Sequence, residues 1–165
     1  MESKNIVICE LKGIENSNPE MISCFPRFDL KEFDKKDLIP KFLPYGSEIG
    51  DFQVSYLSKH IVLSYIFKID NLINRDNLLS ISMMIKKKKY MEIFKPILKK
   101  IIDELDKYDL LTEEILKKNL ENIFKAINKE KNIIIEGNTI EISKLYKELK
   151  NKYVKNKPKM EGNFF

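Results

Sequence analysis

The sequence predicts an α+β domain, and three observations carry that expectation. Up to residue 85, apolar residues alternate with polar ones or run in strand-length stretches, as half-buried and fully buried strands do. From residue 91 to 127 they recur instead at spacings of three and four, which gives a helix one buried stripe. Between these runs stand clusters of Gly, Pro, Asn and Asp, the residues that turns select. A chain of 165 residues fits one domain and buries roughly 70% of the surface that its unfolded form exposes, enough for a core without staples.

Each element follows in order. Residues 5–12, NIVICELK, alternate weakly and make a first strand; Gly13 to Pro19 is a turn and Met21 to Phe25 a shorter second strand. Between Phe28 and Leu43 a short helix is expected, capped by Asp34 or Asp37, with Leu38, Ile39, Phe42 and Leu43 as its apolar side and Pro40 in its first turn. Pro44-Tyr45-Gly46 ends it. Phe52, Val54 and Tyr56 alternate with polar positions, Ile61 to Ile69 is nearly continuously apolar, and a hairpin turn near Ser58 to His60 joins the two. Leu78 to Ile85 is the fifth strand. Pro96 places the regular start of the first long helix close to residue 95, and Ile93, Phe94, Ile97, Leu98, Ile101, Ile102 and Leu105 are its stripe. Thr112 is an N-cap, with Glu113 and Glu114 complementing the dipole of a second helix striped by Ile115, Leu116, Leu120, Ile123, Phe124 and Ile127. Residues 132–142 hold two strand pieces around Gly137-Asn138, and Ser143 caps a last helix carrying Leu145, Tyr146 and Leu149. The expected organisation is one domain over 1–150 and a flexible basic tail over 151–165, in which Phe164 and Phe165 are an odd ending for a solvated segment.

Composition excludes several function classes. The net charge of +5 rests on 28 lysines and only two arginines, Arg27 and Arg75. Readers of nucleic-acid sequence lean on bidentate arginine, so no specific nucleic-acid partner is expected. The one dense patch, Lys86-Lys87-Lys88-Lys89, reads as a solvated turn, with weak contact to a membrane surface as the alternative. Cys9 and Cys24 have no CxxC spacing and are expected to be reduced core thiols. The single histidine, His60, leaves no multi-histidine metal site and no catalytic triad. No phosphate loop is present either, so neither a cofactor, a metal nor a self-contained active site is expected. No apolar run is long enough to cross a bilayer and Met1 to Asn5 is polar, so the expected location is cytoplasmic, with recruitment to membrane surfaces left to partners.

The order β-β-α-β-β-β-α-α, followed by a C-terminal β/α extension, resembles the longin (profilin-like) domain, and above all that of the nitrogen permease regulator family, with a weaker likeness to folliculin. Three pieces carry the resemblance: Asn74-Arg75-Asp76-Asn77-Leu78-Leu79, Lys95-Pro96-Ile97-Leu98-Lys99-Lys100 and Asn138-Thr139-Ile140. They cover residues 50 to 142; Asp76, Ile73 and Asn74 depart from the family pattern around the arginine. The resemblance implies a five-stranded, mainly antiparallel sheet flanked by helices. It also implies pairing with a second longin or a roadblock-like domain, as a homo- or heterodimer, and a role in regulating small GTPases.

In the resembling families the loop arginine is directed at the bound nucleotide, which makes Arg75 the candidate arginine finger. Phosphoryl transfer spreads negative charge over the transferring group, and a planar cation supplied in trans stabilises it, which is worth about 10³ to 10⁵ in rate. Lysine lacks the rigid fork of donors, so a lysine-rich chain has a reason to keep arginine here. Two readings of Arg75 stay open: the finger, or an ion pair with Asp70 or Asp76 that merely caps the loop. Two functions stay open with them: a GTPase-activating subunit acting in trans, or a non-catalytic, dimerising adaptor that recruits GTPases or membrane-traffic components. The resembling proteins carry further C-terminal domains, whereas this sequence stops shortly after the longin-like unit, a stand-alone form for which an interaction module is the expectation.

Overall fold

A computed structural model of the chain describes residues 3–27, 35–70, 73 and 75–155, the side chains of residues 35 and 36 excepted. Five strands, β1 (Ser3–Leu11), β2 (Glu20–Phe25), β3 (Phe52–Leu57), β4 (His60–Ile69) and β5 (Asn77–Ile85), form one antiparallel sheet in the order β2-β1-β5-β4-β3. Helix α1 (Lys35–Phe42) stands between β2 and β3 in the chain, and α2 (Met91–Lys107) and α3 (Glu113–Lys129) follow β5. A small hairpin, β6 (Ile133–Ile135) and β7 (Asn138–Ile140), leads to α4 (Ser143–Lys150). The fold is thus α+β, and its first eight regular elements come in the order read from the sequence.

The sheet has a large and a small buried face because successive strand residues point to opposite sides. On one side Ile6, Ile8, Leu63, Ile81 and Met83 pack against Ile93, Phe94, Ile97 and Ile101 of α2 and Leu116, Leu120 and Ile123 of α3, all fully buried or nearly so. The same cluster takes in Ile133, Ile135, Ile140 and Tyr146, so the C-terminal hairpin and α4 extend this core. On the other side Val7, Cys9, Val62, Ile66 and Met84 meet Leu38, Phe42 and Leu43 of α1. Buried serines lie beneath this short helix. Ser64 and Ser82 share a 2.6 Å hydroxyl hydrogen bond, and Ser82 also donates to the Phe42 carbonyl at 3.2 Å.

Several local expectations shift. Pro96 lies in the second turn of α2, which begins at Met91 after a short 3-10 turn over Lys88–Tyr90. A proline there removes only the bond to the Glu92 carbonyl, and the buried Met91, Ile93 and Phe94 hold the preceding turn in place. Pro40 likewise sits near the end of α1, not in its first turn, and the helix stops two residues later. Asp37 falls within the first turn; Asp34 lies outside the described residues. Ser143 is the first residue of α4 and makes no cap bond with its side chain; its N–H donates to Asn132 Oδ1 at 2.9 Å instead. The β6–β7 turn is Glu136-Gly137, both at positive φ, one residue earlier than expected. Thr112 caps α3 as read, accepting from Ile115 N at 3.2 Å. After α4 a π-helical turn runs over Asn151–Lys155, with Tyr153 and Val154 packed on the large core; Phe164 and Phe165 are outside the described residues.

Strand β3 is only partly covered: Phe52 packs on the large core, but Val54 and Tyr56, at alternate positions after it, are 38% and 60% exposed, while Leu57 packs on the α1 side. Helices α2 and α3 lie over β4, β1 and β2, so their layer does not cover this edge. No helix among the described residues is long and apolar enough to cross a membrane.

Candidate functional site

Arg75 stands in the connection between β4 and β5, immediately before the sheet's central strand. Fixed contacts hold the backbone on either side of it. Before it, Asp70 pairs with Lys68 of β4 at 3.1 Å; after it, Asp76 pairs with the same lysine at 2.9 Å. Next, the Asn77 side-chain oxygen accepts a 3.0 Å hydrogen bond from the backbone N–H of Gly13 in the β1–β2 turn.

Gly13 does more than donate. A side-chain carbon at that position would stand 1.8 Å from the Arg75 carbonyl oxygen, so the two backbones touch with no room for even a methyl group. Gly13 is not among the residues at positive φ. Space, not backbone conformation, requires glycine here.

The side chain of Arg75 is exposed, and it makes no hydrogen bond or ion pair with any described residue. The loop-capping alternative named Asp70 and Asp76 as its partners. Both carboxylates go to Lys68 instead, and their hydrogen bonds, that of Asp76 foremost, raise the lysine's pKa. Arg75 lines a cleft of about 440 Å³ with Leu11, Lys12, Ile14, Glu15, Asp76 and Leu78. Ile73, 91% exposed, flanks it on the chain. Arg75 and Lys12 share this cleft with the carboxylates of Glu15 and Asp76, the latter paired with Lys68; the exposed arginine, unpaired among the described residues, is the group there suited to an incoming anion.

Beneath the same end of the sheet lies a group that sequence reasoning missed. Glu10 of β1 is 1% exposed, and neither of its carboxyl oxygens has a hydrogen-bond partner among the described residues. Burial first, and the neighbouring Glu113 carboxylate second, push it up to about 7, against the pull of Lys12 and Lys117. Because the geometry holds no hydrogen bond between the two carboxyls, we attribute the shift to burial and like charge. Glu113 itself moves down, chiefly through its bond to Lys117. The clue was an acidic residue at a core-facing register position of a strand.

The remaining sequence candidates lie away from this cleft. Cys9 and Cys24 are free thiols, the first buried and the second half-buried, and burial ahead of the Cys24 charge pushes Cys9 up to about 12, far from a reactive thiolate. His60 closes the two-residue turn Ser58-Lys59 between β3 and β4, as expected. Lys86 to Lys89 are all exposed. Among the described residues no cluster of three His, Cys, Asp or Glu could hold a metal ion. Of the other two sequence pieces, Pro96-Ile97 lies inside α2 and Asn138-Thr139-Ile140 is β7. Comparison of the chain with protein-family models and with curated proteins returns no match, so the functional reading rests on the residues themselves.

Proposed function

We propose that this chain is a longin-like regulatory domain that presents Arg75 in trans to the phosphates of a nucleotide held by a small GTPase. One observation carries the reading: the exposed guanidinium has no intramolecular partner among the described residues, while the backbone around it is pinned to β4 and to the β1–β2 turn. A free head group on a fixed stem keeps the cost of ordering low at the moment of use. Support also comes from the element order around the five-stranded antiparallel sheet, which agrees with what the longin resemblance implies. Capture of small GTPases by the immobilised chain, with GDP alone and with GDP plus a transition-state phosphate mimic, tests the reading. Tighter capture with the mimic is the expected result; equal capture in both states removes the finger.

A second reading, the dimerising adaptor, is favoured by β3. It is a sheet edge with no charge, proline or bulge from Phe52 to Leu57, and Val54 and Tyr56 are exposed on it. Natural edges are usually blunted by such devices. The other edge, β2, carries a register shift opposite Ile8/Cys9 and is covered by α3 through the Phe25–Phe124 ring contact. Val54→Lys would separate a strand-paired dimer into monomers in a sedimentation experiment; an unchanged mass distribution would remove the edge from assembly.

A further inference from the structure

We infer that the end of the sheet opposite the Arg75 loop is a binding site for a phosphate group displayed on an anionic lipid surface, built by Lys4, Lys59, His60 and Lys86. Register brings these residues together from three separate parts of the chain. Ser3 and Ile61 both pair with Ile85, so the start of β1, the start of β4 and the end of β5 lie side by side. A register shift between Ser3 and Asn5 leaves Lys4 out of the ladder, and such bulges re-aim a side chain. The Ser58-Lys59 turn adds its lysine from the far side. Together with Ser3, the four residues line a hollow of about 550 Å³.

The hollow is a place of unbalanced positive charge. Among the described residues no carboxylate lines it. Lys4, Lys59 and Lys86 have no ion pair among the described residues, whereas lysines elsewhere, such as Lys68, Lys99, Lys117 and Lys125, do. Burial first, and then the charges of Lys4 and Lys86, lower the pKa of His60. Cations gathered in a concave site without counter-charges are an anion site waiting for its anion. The neighbourhood selects the source. Lys87, Lys88 and Lys89 follow Lys86 and are exposed, and Tyr56, paired with Ile61 at this same end of the sheet, is exposed too. Lysines and an exposed aromatic at one end of the sheet suit the headgroup boundary of an acidic bilayer, where lysines meet lipid phosphates and a ring sits at the interface.

This inference does not depend on the proposed role of Arg75. β5 separates the two ends by nine residues, roughly 30 Å of strand, so a chain seated on a membrane by this end would hold Arg75 well clear of the surface. The test uses co-sedimentation with vesicles of phosphatidylcholine alone and of phosphatidylcholine mixed with phosphatidylserine. It adds proton NMR of His60, whose imidazole signal is unambiguous because the chain has one histidine. Binding to the acidic vesicles only is expected, together with a rise in the His60 titration midpoint when monomeric short-chain phosphatidylserine is added. The Lys4→Glu/Lys86→Glu variant should lose about tenfold or more of the vesicle affinity, and Lys59→Glu alone, at the exposed turn, should weaken it in the same direction. Equal sedimentation with both vesicle types overturns the proposal, as does acidic-vesicle binding that survives all three substitutions. A His60 response to inorganic phosphate without vesicle binding overturns the lipid assignment, and so does a short RNA bound more tightly than the acidic vesicles.

Discussion

Gly13→Ala should dislodge the Arg75 loop. The added carbon would lie 1.8 Å from the Arg75 carbonyl oxygen, 2.5 Å from the carbonyl carbon and 3.0 Å from Cα. All three are backbone atoms, so no rotamer change relieves the clash. Ordinary contact begins near 3.4 Å, so the two backbones must part by about 1.6 Å, the difference between 3.4 and 1.8. That separation opens the Gly13 N–H bond to Asn77, now 3.0 Å long. Overpacking of this kind costs about 1–3 kcal/mol and a lost hydrogen bond about 1 more. The domain should survive it, because typical stabilities are about 5–15 kcal/mol. Denaturant unfolding reads the loss as a lower midpoint with an unchanged slope. Amide exchange should accelerate at Asn77 and Leu78 while the centre of β5 stays protected. In a GTPase assay the variant should approach Arg75→Ala although Arg75 itself is intact. A stability change under about 0.5 kcal/mol, with exchange unaltered, would refute the clamp, since surface substitutions without a specific clash fall in that range.

Glu10 gives a pH prediction. Its folded pKa, about 7 against an ordinary 4.5, is raised, so the native state holds a proton that the unfolded chain has lost between those values and stability falls as pH rises from about 4.5 through 7. Glu10→Gln cannot ionise and should flatten that slope. One pKa unit corresponds to about 1.4 kcal/mol; allowing for solvent screening and the nearby lysines, we expect a gain of about 1–2 kcal/mol at pH 8 and little change at pH 5. Identical slopes for both proteins would remove Glu10 as the cause. Tyr146 is fully buried and its hydroxyl has no partner among the described residues. Tyr146→Phe should therefore be neutral or stabilising by up to about 1 kcal/mol; a clear loss would reveal a hydrogen bond that the geometry lacks.

What the sequence made legible is what local spacing encodes. The stripe of α2 is buried at every position its periodicity names, that of α3 is buried except at the half-buried Ile115 and Phe124, and the β3–β4 hairpin turns at Ser58-Lys59 as expected. Alternation in β3 correctly grouped Phe52, Val54 and Tyr56 on one face. It could not say whether anything covers that face, because coverage depends on where distant helices lie. The prolines misled for a related reason. The local penalty at Pro96 is outweighed by burial of Met91, Ile93 and Phe94 against the sheet, an energy that no window of sequence contains. Arg75 was legible by its rarity among lysines. Gly13, which lies 62 residues earlier in the chain (75 − 13), was not, since only the folded register brings its backbone against the loop. The hollow of Lys4, Lys59, His60 and Lys86 was half legible: the Lys86 to Lys89 run stood out, whereas the two lysines and the histidine that complete it come from other strand ends.

The most direct measurement is single-turnover GTP hydrolysis by a GTPase that the chain captures, with the wild-type chain, Arg75→Ala and Arg75→Lys compared at saturating concentration. The account predicts that all three bind, that stimulation falls by about 10³ or more in the alanine variant, and that lysine restores only a small part of it. Equal stimulation by the wild-type and alanine chains, with binding intact, would contradict it.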